Sequence, residues 1–379
     1  MDAPAGRPGY RRPGDGLTSS QVFWFALTTR LTNLLALMPI LTATRAGRDA
    51  WIALIASIPV GMGLAWAFSY GPSVMPGAGL AEQLRKPLGK WAGGLVTVLF
   101  VWSYLHRTTL VVRDYSEVVV SAVLPRTPLV VVVAVTGLAA AVIAFQDSPT
   151  VGRVISILGT VVVIAVVAIG LLLAPQIELA RLQPVLQSGW RGLLSGVLAA
   201  SAWHTQVFFY PAVAPSVLDH PRSRRALMAG VAAASGLGAL LVVLVVSVMS
   251  EEVAAETQFP LLSAAQLVLI GEFIQRVDAL AVGAWGLSLL SAAGLFLHSA
   301  LLGLSELLGL GDHRRLVRPM ALLVIVGAMV LAGDLKELKQ FSEVRVLAPY
   351  MIGLVWVPTA VWVAATWWRR PGSPGRSRR

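Results

Sequence analysis

The sequence predicts an all-α polytopic membrane protein with about ten transmembrane helices. Ten long apolar segments are the first observation, because a helix needs roughly 20 apolar residues to span the hydrocarbon core. Composition is the second: hydrophobic residues make up 56% and charged residues 13% of the 379 residues, against about 25% charged in soluble domains. The third is an alternation of basic and less basic connecting loops along the chain.

The ten predicted spans are separated by short polar segments. In order they are Ser20–Leu41, Ala50–Tyr70, Trp91–Val120, Leu129–Phe145, Val151–Ala174, Leu193–Val217, Leu227–Met249, Val277–Leu308, Leu316–Leu331 and Val346–Trp367. The loop Gly71–Lys90 is long enough for an amphipathic helix on the cytoplasmic surface. The longest external segment, Ser250–Arg276, is predicted to hold a surface helix around Leu261–Ile270.

The distribution of basic residues predicts the orientation of the chain. More than half of the 30 Lys and Arg residues lie in the two termini and in every second loop, which places both termini in the cytoplasm. The net charge of +11 therefore indicates topology and contact with lipid headgroups and not a nucleic-acid partner. Residues 1–19 are predicted to be a disordered cytoplasmic tail, and residues 369–379 a basic one.

An inverted repeat follows from the number of spans. Splitting the single transmembrane domain, residues 20–368, at Gln176–Trp190 leaves five spans on each side, and an odd number makes the second half enter the membrane from the opposite side. Residues 20–174 and 190–368 are thus predicted to be inverted-topology repeats. In such folds the first helix of each half is often broken, and its exposed backbone ends bind the ligand near the midplane.

Four short motifs occur in register with these spans. They are RDYSE (Arg113–Glu117), LPRTPL (Leu124–Leu129), LQPVLQSGW (Leu182–Trp190) and FPLLSAAQLVLIGEFIQRVDALAVGAW (Phe259–Trp285). With them the chain resembles the B subunit of GerA-type spore germinant receptors, a spore permease family of the amino acid/polyamine/organocation superfamily. The resemblance implies a LeuT-like 5+5 fold, a small amino acid-like nutrient ligand, companion A- and C-type subunits, and the spore inner membrane.

Basic side chains at membrane depth are the candidate site, because ionisable residues there are costly and usually functional. Arg30 lies at the centre of the first span, Arg107 in the third and His204 in the sixth, and the resemblance implies that helices one, three, six and eight surround the midplane site. Arg30, alone or with Arg107, suits a ligand carboxylate through two parallel hydrogen bonds. The alternative is an internal pair of either arginine with Asp114 or Glu117. His204 either contacts the ligand or is a neutral, hydrogen-bonded histidine.

Weaker candidates are uncharged polar residues near the same depth. They are Thr28, Thr29, Thr32, Asn33, Tyr104, Gln206, Ser288 and Ser291. The residues of the run TTRLTNLL (Thr28–Leu35) either line an unwound stretch or bond back to their own helix, and this run has no glycine pair of the kind at which the family's first helix often unwinds. Arg113 and Glu117, four residues apart, are predicted to form an ordinary ion pair.

Signatures of soluble enzymes are missing from the sequence. There is no cysteine, no phosphate-binding loop and no His/Glu pair with metal-ligand spacing, so neither a cofactor, a metal nor a catalytic activity is predicted. Two functions remain: a membrane subunit that senses a nutrient germinant, or a secondary transporter for an amino acid or related solute. A channel is a third, weaker alternative. The fold does not choose between them.

Overall fold

A computed structural model of the chain describes residues 16–44, 46–257, 259–267, 277–331 and 344–369. Within these ranges the side chains of residues 33–43, 122, 277–278, 344–345 and 347–348 are not described. The described residues form helices and turns and no β-strand, which confirms the predicted all-α class. Most of the two predicted tails, residues 1–15 and 370–379, lies outside the described residues.

The first half of the chain contains the helices of the first five predicted spans and one additional short helix. They are α1 (Ser19–Ala43), α2 (Ala50–Ala56), α3 (Ile58–Val74), α4 (Leu80–Leu88), α5 (Lys90–Val118), α6 (Leu129–Ala144) and α7 (Ser148–Leu173). The second span is divided at Ser57 into α2 and α3, and Pro59 follows this break. The short helix α4 is the amphipathic helix predicted in the loop after the second span: it buries Leu80 and Leu84 and exposes Glu82.

The second half contains more irregular helices. They are α8 (Gly189–Trp203), α9 (Tyr210–Val213), α10 (His220–Met249), α11 (Glu251–Glu256), α12 (Pro260–Gln266), α13 (Val277–Leu307), α14 (Val317–Val330), α15 (Val344–Met351) and α16 (Val357–Trp368). A 3₁₀ helix, His204–Phe209, joins α8 to α9, so the sixth span is broken at its middle. A π-helical turn, Ile352–Trp356, joins α15 to α16. The predicted surface helix Leu261–Ile270 is present as α12, and residues 268–270 lie outside the described residues.

Within the described ranges, six helical segments are long and apolar enough to cross a membrane. They are Gly47–Val74, Lys90–Ser121, Ser148–Gln176, His220–Met249, Ala279–Leu307 and Pro349–Trp368. The helix α6 is a shorter apolar helix. The chain is therefore a multi-pass integral membrane protein, while the count of ten spans and the orientation of the termini stay predictions.

Two helices occupy the middle of the bundle. The helix α1 contacts α7, α10 and α13, and α13 contacts α5, α6 and α7 as well. Small residues bring α1 and α10 close together: a methyl group at Gly230 would lie 2.7 Å from the carbonyl oxygen of Phe23 and 2.8 Å from Cβ of Ala26. Such close approach replaces the hydrophobic effect as the source of helix packing energy in a bilayer.

Three loops predicted to be external meet at one end of the bundle, here called the outer end. Arg48 forms an ion pair with Glu251, with Nε and Oε2 2.8 Å apart, and donates a hydrogen bond to the carbonyl of Gln183. The carboxylate of Asp49 accepts a hydrogen bond of 2.8 Å from the amide of Leu186. The first, fifth and seventh loops are thus joined by charged groups.

Segments predicted to be cytoplasmic meet at the opposite end, the inner end. Leu17, just before α1, and Val217, after α9, form a backbone bridge. Glu306, near the end of α13, accepts hydrogen bonds of 2.9 Å from the amides of Ala81 and Glu82 in the first turn of α4. The structure therefore groups these loops into the same two sets as the charge alternation.

Candidate ligand site

Arg30 is a fully buried cation at the middle of α1. Its Nη2 donates a 3.4 Å hydrogen bond to Oγ of Ser235 on α10. Within the described residues its Nε and Nη1 atoms have no hydrogen-bond partner, and no ion pair to an acidic side chain is seen. A buried guanidinium with open donors is costly, so this position is suited to an anionic group that the protein itself does not supply.

The broken part of the sixth span lies beside α1, which it contacts. Three neighbouring helices hold its 3₁₀ turn through hydrogen bonds. Tyr104 of α5 donates to the carbonyl of Phe208 over 2.7 Å, and Trp356 of the π turn donates to Oγ1 of Thr205 over 2.5 Å. Because a broken helix leaves backbone groups without helical partners, these bonds stabilise the irregular geometry in the interior of the bundle.

His204 provides the third tie. Its Nε2 lies 2.9 Å from Oγ of Ser57, and that hydroxyl donates to the carbonyl of Leu54 over 2.7 Å. Since the hydroxyl proton is used there, Ser57 accepts the Nε2–H of His204, and Nδ1 of the neutral ring carries a lone pair. A methyl group at Gly61 would lie 2.4 Å from this Nδ1, so glycine at position 61 makes room for the imidazole.

Further open polar atoms lie at the end of α8. Oγ of Ser201 and Nε1 of Trp203 are buried without a hydrogen-bond partner in the described part of the chain. Arg30 is close enough to act electrostatically on His204. The middle of α1 and the break in the sixth span therefore both carry buried polar atoms without hydrogen-bond partners, and no ion pair with an acidic side chain engages Arg30 among the described residues.

Arg107 belongs to a neighbouring group of residues on α5. Its guanidinium carbon lies 5.1 Å from the ring centre of Trp203, in the range of a cation–π contact, and Asp114 lies within electrostatic range of it. Next to it, Nδ1 of His106 lies 2.6 Å from the hydroxyl of Tyr350. Asp114 is thus placed to balance the charge of Arg107 and not that of Arg30.

Arg113 and Glu117 form the predicted ion pair, with Nη2 and Oε1 2.7 Å apart. Arg113 also donates to the carbonyl of Ala328 on α14 over 2.8 Å. Glu117 is therefore engaged locally, and of the two acidic partners considered for Arg30 neither pairs with it.

The threonines of α1 do not line an unwound stretch, since α1 is helical from Ser19 to Ala43. The expectation of a broken first helix is wrong for the first half and right for the second. Thr29 donates to the carbonyl of Phe25 over 2.7 Å, and Thr32 to that of Thr28 over 3.0 Å. Both hydroxyls thus bond back to their own helix, and the unwound alternative is a wrong expectation for them.

The same threonines divide between different faces of α1. Thr28 faces α7, where a methyl group at Gly159 would lie 2.6 Å from its Oγ1. Thr32 faces α13 and donates to the carbonyl of Ser288 over 2.8 Å, whereas Arg30 faces α10. The structure therefore does not gather these predicted site residues at one point.

The remaining predicted residues have structural contacts. The hydroxyls of Ser288 and Ser291 donate to carbonyls within α13, and Gln206 is buried in the 3₁₀ turn. The side chain of Asn33 lies outside the described residues. Sequence reasoning missed Ser57, Gly61, Ser235 and Trp356; the prolines at 59 and 211, which cannot donate a helical hydrogen bond, were the available signals for the breaks beside them.

Comparison with known proteins gives one family over most of the chain. The profile of the family described as "Spore germination protein" matches residues 16–334. The chain is also similar to the spore germination protein KB of Bacillus subtilis (strain 168): the two are 23% identical over 354 residues, which cover 92% of this chain and 94% of that protein.

Solved structures with a similar fold are secondary transporters. The nucleobase-cation-symport-1 family transporter MHP1, in a closed conformation with bromovinylhydantoin bound, aligns with a TM-score of 0.67 and 13% identity over 92% of this chain and 80% of its own. A Na⁺-coupled sialic acid symporter in a substrate-bound outward-open state aligns with a TM-score of 0.64 and 10% identity, covering 94% and 89% of the two chains. These likenesses show the transporter fold alone and confirm the predicted LeuT-like class.

Proposed function

The chain belongs to the spore germination protein family, and we propose that it is the membrane subunit of a spore germinant receptor, which binds a small amino acid-like nutrient near the membrane midplane and triggers germination. The open donors of the buried Arg30 carry this proposal. A ligand carboxylate would accept hydrogen bonds from the open donors of the guanidinium, which is planar and always charged. Membership of the family and the likeness to the KB protein support the sensing role.

The proposed site lies between α1 and the broken sixth span. Arg30 holds the carboxylate, and Ser201, Trp203 and the 3₁₀ turn form the opposite wall. Arg107 acts from behind Trp203, on which its guanidinium rests. The role is binding and not catalysis, and it needs no cofactor.

Companion A- and C-type subunits, cytoplasmic termini and the spore inner membrane complete the proposal. The family supports them. The two five-span repeats, residues 20–174 and 190–368, form one transmembrane domain in which each half contributes one wall of the site. The predicted bilayer orientation is checked with single cysteines: one at Ala255 is expected to react with an impermeant thiol reagent added from outside, and one at Ser223 is not. The reverse pattern would refute the orientation.

Substitution of Arg30 tests the ligand site. We expect Arg30→Met to insert normally, since it removes an insertion cost of about 2.5–3.5 kcal/mol, and to lose ligand-dependent thermal stabilisation by candidate nutrients. Losing a hydrogen bond to a charged group, about 1.5–3 kcal/mol, weakens binding roughly 10- to 100-fold. Arg30→Lys keeps the charge without the planar fork and is expected to be intermediate.

Controls separate binding from an internal ion pair. Arg153→Met removes an exposed arginine at the inner end of α7 and is expected to keep the full ligand response. If Arg30 balanced Asp114, adding Asp114→Asn to Arg30→Met would restore stability; we expect no such rescue. Full stabilisation of Arg30→Met by the nutrient would refute the carboxylate role.

A secondary transporter for the same solute is the second candidate, because the chain shares its fold with solved secondary transporters, although a shared fold does not itself decide the function. Proteoliposomes distinguish the two functions. A sensor binds labelled nutrient without accumulating it, whereas a transporter concentrates it inside the vesicle when an ion gradient is applied. Co-purification of companion subunits would favour the sensor.

A further inference from the structure

Three cations from separate segments lie where α4 ends and α5 begins, at the inner end and away from the site around Arg30. Arg85 lies in the last turn of α4, and its guanidinium packs against α5: a methyl group at Gly94 would lie 3.8 Å from Nε of Arg85. Lys90 is the first residue of α5. Arg369 follows α16, and its Nη1 donates to the carbonyl of Lys86 over 3.4 Å. The chain thus gathers positive charge at one edge of the bundle.

Acidic side chains do not balance this charge among the described residues. Glu82, on α4, is engaged with Lys86, with Oε1 and Nζ 2.7 Å apart. Arg85, Lys90 and Arg369 form no ion pair within the described ranges, and Nε of Arg85 is buried there without a hydrogen-bond partner. The cluster of Arg85, Lys90 and Arg369 therefore has donors and net charge left for an anion.

An exposed apolar stripe begins beside these cations. Trp91, Leu95, Val98 and Trp102 are 87%, 62%, 52% and 55% exposed. Their spacing of four, three and four residues places them on one face of α5. The stripe starts next to Lys90 and runs from the inner end toward the middle of the membrane, with an indole ring at each end.

We propose that the cluster and the stripe together bind an anionic phospholipid. The phosphate lies among Arg85, Lys90 and Arg369, and an acyl chain lies along the stripe. Basic groups on the cytoplasmic side of transmembrane helices attract anionic headgroups, and tryptophan favours the headgroup level. The stripe belongs to a segment able to span the membrane and faces acyl chains in any case. Because the cations lie where the stripe begins, a single molecule with both a phosphate and an acyl chain contacts both, which a soluble phosphate does not.

A competing explanation is local. Cations near the last turn of α4 also stabilise the carbonyl end of that helix. This effect needs no lipid and gives no preference among headgroups. The two explanations therefore differ in their dependence on the lipid supplied.

Thermal unfolding and native mass spectrometry of the purified full chain in detergent test the proposal. Phosphatidylglycerol, phosphatidylcholine and inorganic phosphate are added in separate arms. The test variant combines Arg85→Gln, Lys90→Gln and Arg369→Gln. The matched control combines Arg222→Gln, Arg225→Gln and Arg318→Gln, three exposed residues at the same end with the same change of charge.

Phosphatidylglycerol is expected to raise the melting temperature of the wild type and the control more than phosphatidylcholine does, and to remain bound in the mass spectrum. The test variant is expected to bind it roughly fivefold more weakly for each cation removed. Equal stabilisation of the test variant and the control, or stabilisation by inorganic phosphate alone, would overturn the proposal. If the triple variant does not fold, Lys90→Gln alone must show the fivefold loss, and unchanged binding would overturn it.

Discussion

The first helix of each half lines the proposed ligand site, but one of these helices is continuous and the other is broken. In the first half, α1 is continuous, and the hydroxyls of Thr29 and Thr32 bond back to its own carbonyls. Among the described residues, the guanidinium of Arg30 and the hydroxyl of Thr28 supply its open donors. In the second half, the sixth span is interrupted by the 3₁₀ turn His204–Phe209, and its polar groups are held by three other helices. One half therefore relies on a side-chain charge and the other on irregular backbone.

The difference shows what each solution requires of its neighbours. An unbroken helix satisfies its backbone internally and leaves only side-chain donors to be compensated. A broken helix needs partners placed by tertiary structure, here Ser57, Tyr104 and Trp356. We therefore expect substitutions around the sixth span to destabilise more of the protein than substitutions around α1 do.

Gly61→Ala is expected to have the largest effect. Its methyl group would lie 2.4 Å from Nδ1 of His204 and 2.6 Å from Val231, so it displaces the imidazole and breaks the bond to Ser57. Such overpacking costs about 1–3 kcal/mol, and the ligand response is expected to be lost with it. Gly63→Ala is the matched control two residues on, because nothing lies within 4 Å of its added carbon; a loss of similar size there would refute this account of Gly61. Thermal unfolding with and without nutrient measures both.

Gly159→Ala is the corresponding change against α1. Its methyl group would lie 2.6 Å from Oγ1 of Thr28 and 2.8 Å from the ring of Trp24. We expect a loss of stability of about 1–2 kcal/mol, toward the lower part of the range for overpacking. Thr28 and Arg30 are two residues apart and point to different sides of the helix, so ligand affinity is expected to stay near wild type. A loss of affinity equal to that of Gly61→Ala would contradict the separation of these two faces.

Tyr104→Phe removes one tie of the 3₁₀ turn without changing its packing. The carbonyl of Phe208 then loses a donor 2.7 Å away, which we expect to cost about 1 kcal/mol, the net contribution of a typical hydrogen bond. Trp356→Phe removes the bond to Thr205 and ring atoms as well, so its cost includes lost packing. Urea or thermal unfolding of both single variants and the double variant measures whether the two ties act together; wild-type stability in all three would show that neither bond supports the turn.

Thr29→Val is expected to have the smallest effect. The hydroxyl of Thr29 is buried and bonds to a carbonyl of its own helix. Its removal leaves that carbonyl with its helical partner, so we expect a change in stability of about 0.5 kcal/mol, the low end of the net contribution of a hydrogen bond. The size and the branching of the side chain are kept. A loss above 1 kcal/mol would show that α1, too, depends on ties of the kind seen in the sixth span.

Sequence patterns predicted what depends on local composition. The fold class, the depth of Arg30, the helix α4 and the pair Arg113–Glu117 follow from hydropathy, position and helical spacing. Pro211 is a local signal for the break in the sixth span, since proline cannot donate a helical hydrogen bond. The continuity of α1 did not follow from the sequence, because both segments are apolar with a few polar residues. The partners that hold the break come from distant helices, and no local pattern contains them.

The site shows the same limit. Thr28, Thr32 and Arg30 are close in sequence, yet they face α7, α13 and α10 respectively. Ser57 and Ser235 are ordinary serines in apolar runs, and only the fold brings them to His204 and Arg30. Gly61 is recognisable as a site residue only from the imidazole that fills the space above it.

The segment after α10 carries four acidic residues, Glu251, Glu252, Glu256 and Glu272, of which Glu272 lies outside the described residues. This acidic face suits either docking of a companion subunit or a solvated lid on the ligand path. Both Glu251 and Glu252 pair with Arg48, but Glu251 lies closer, at 2.8 Å, whereas Glu252 lies at 3.8 Å and is 72% exposed. Glu252→Lys therefore tests docking, and Glu251→Lys tests the closure of the outer end; a loss of companion subunits with the first and not the second would support a docking surface.

The bridge between Leu17 and Val217 limits how the two unlike helices can move. The amide of Leu17 donates to the carbonyl of Ser216 over 2.7 Å, and the amide of Leu218 donates to the carbonyl of Leu17 over 3.1 Å. These bonds fix α1 and the sixth span to each other at the inner end. Any relative tilt is then a rotation about that point, so the displacement grows with distance along the helices and is largest beside Arg48 and Glu251.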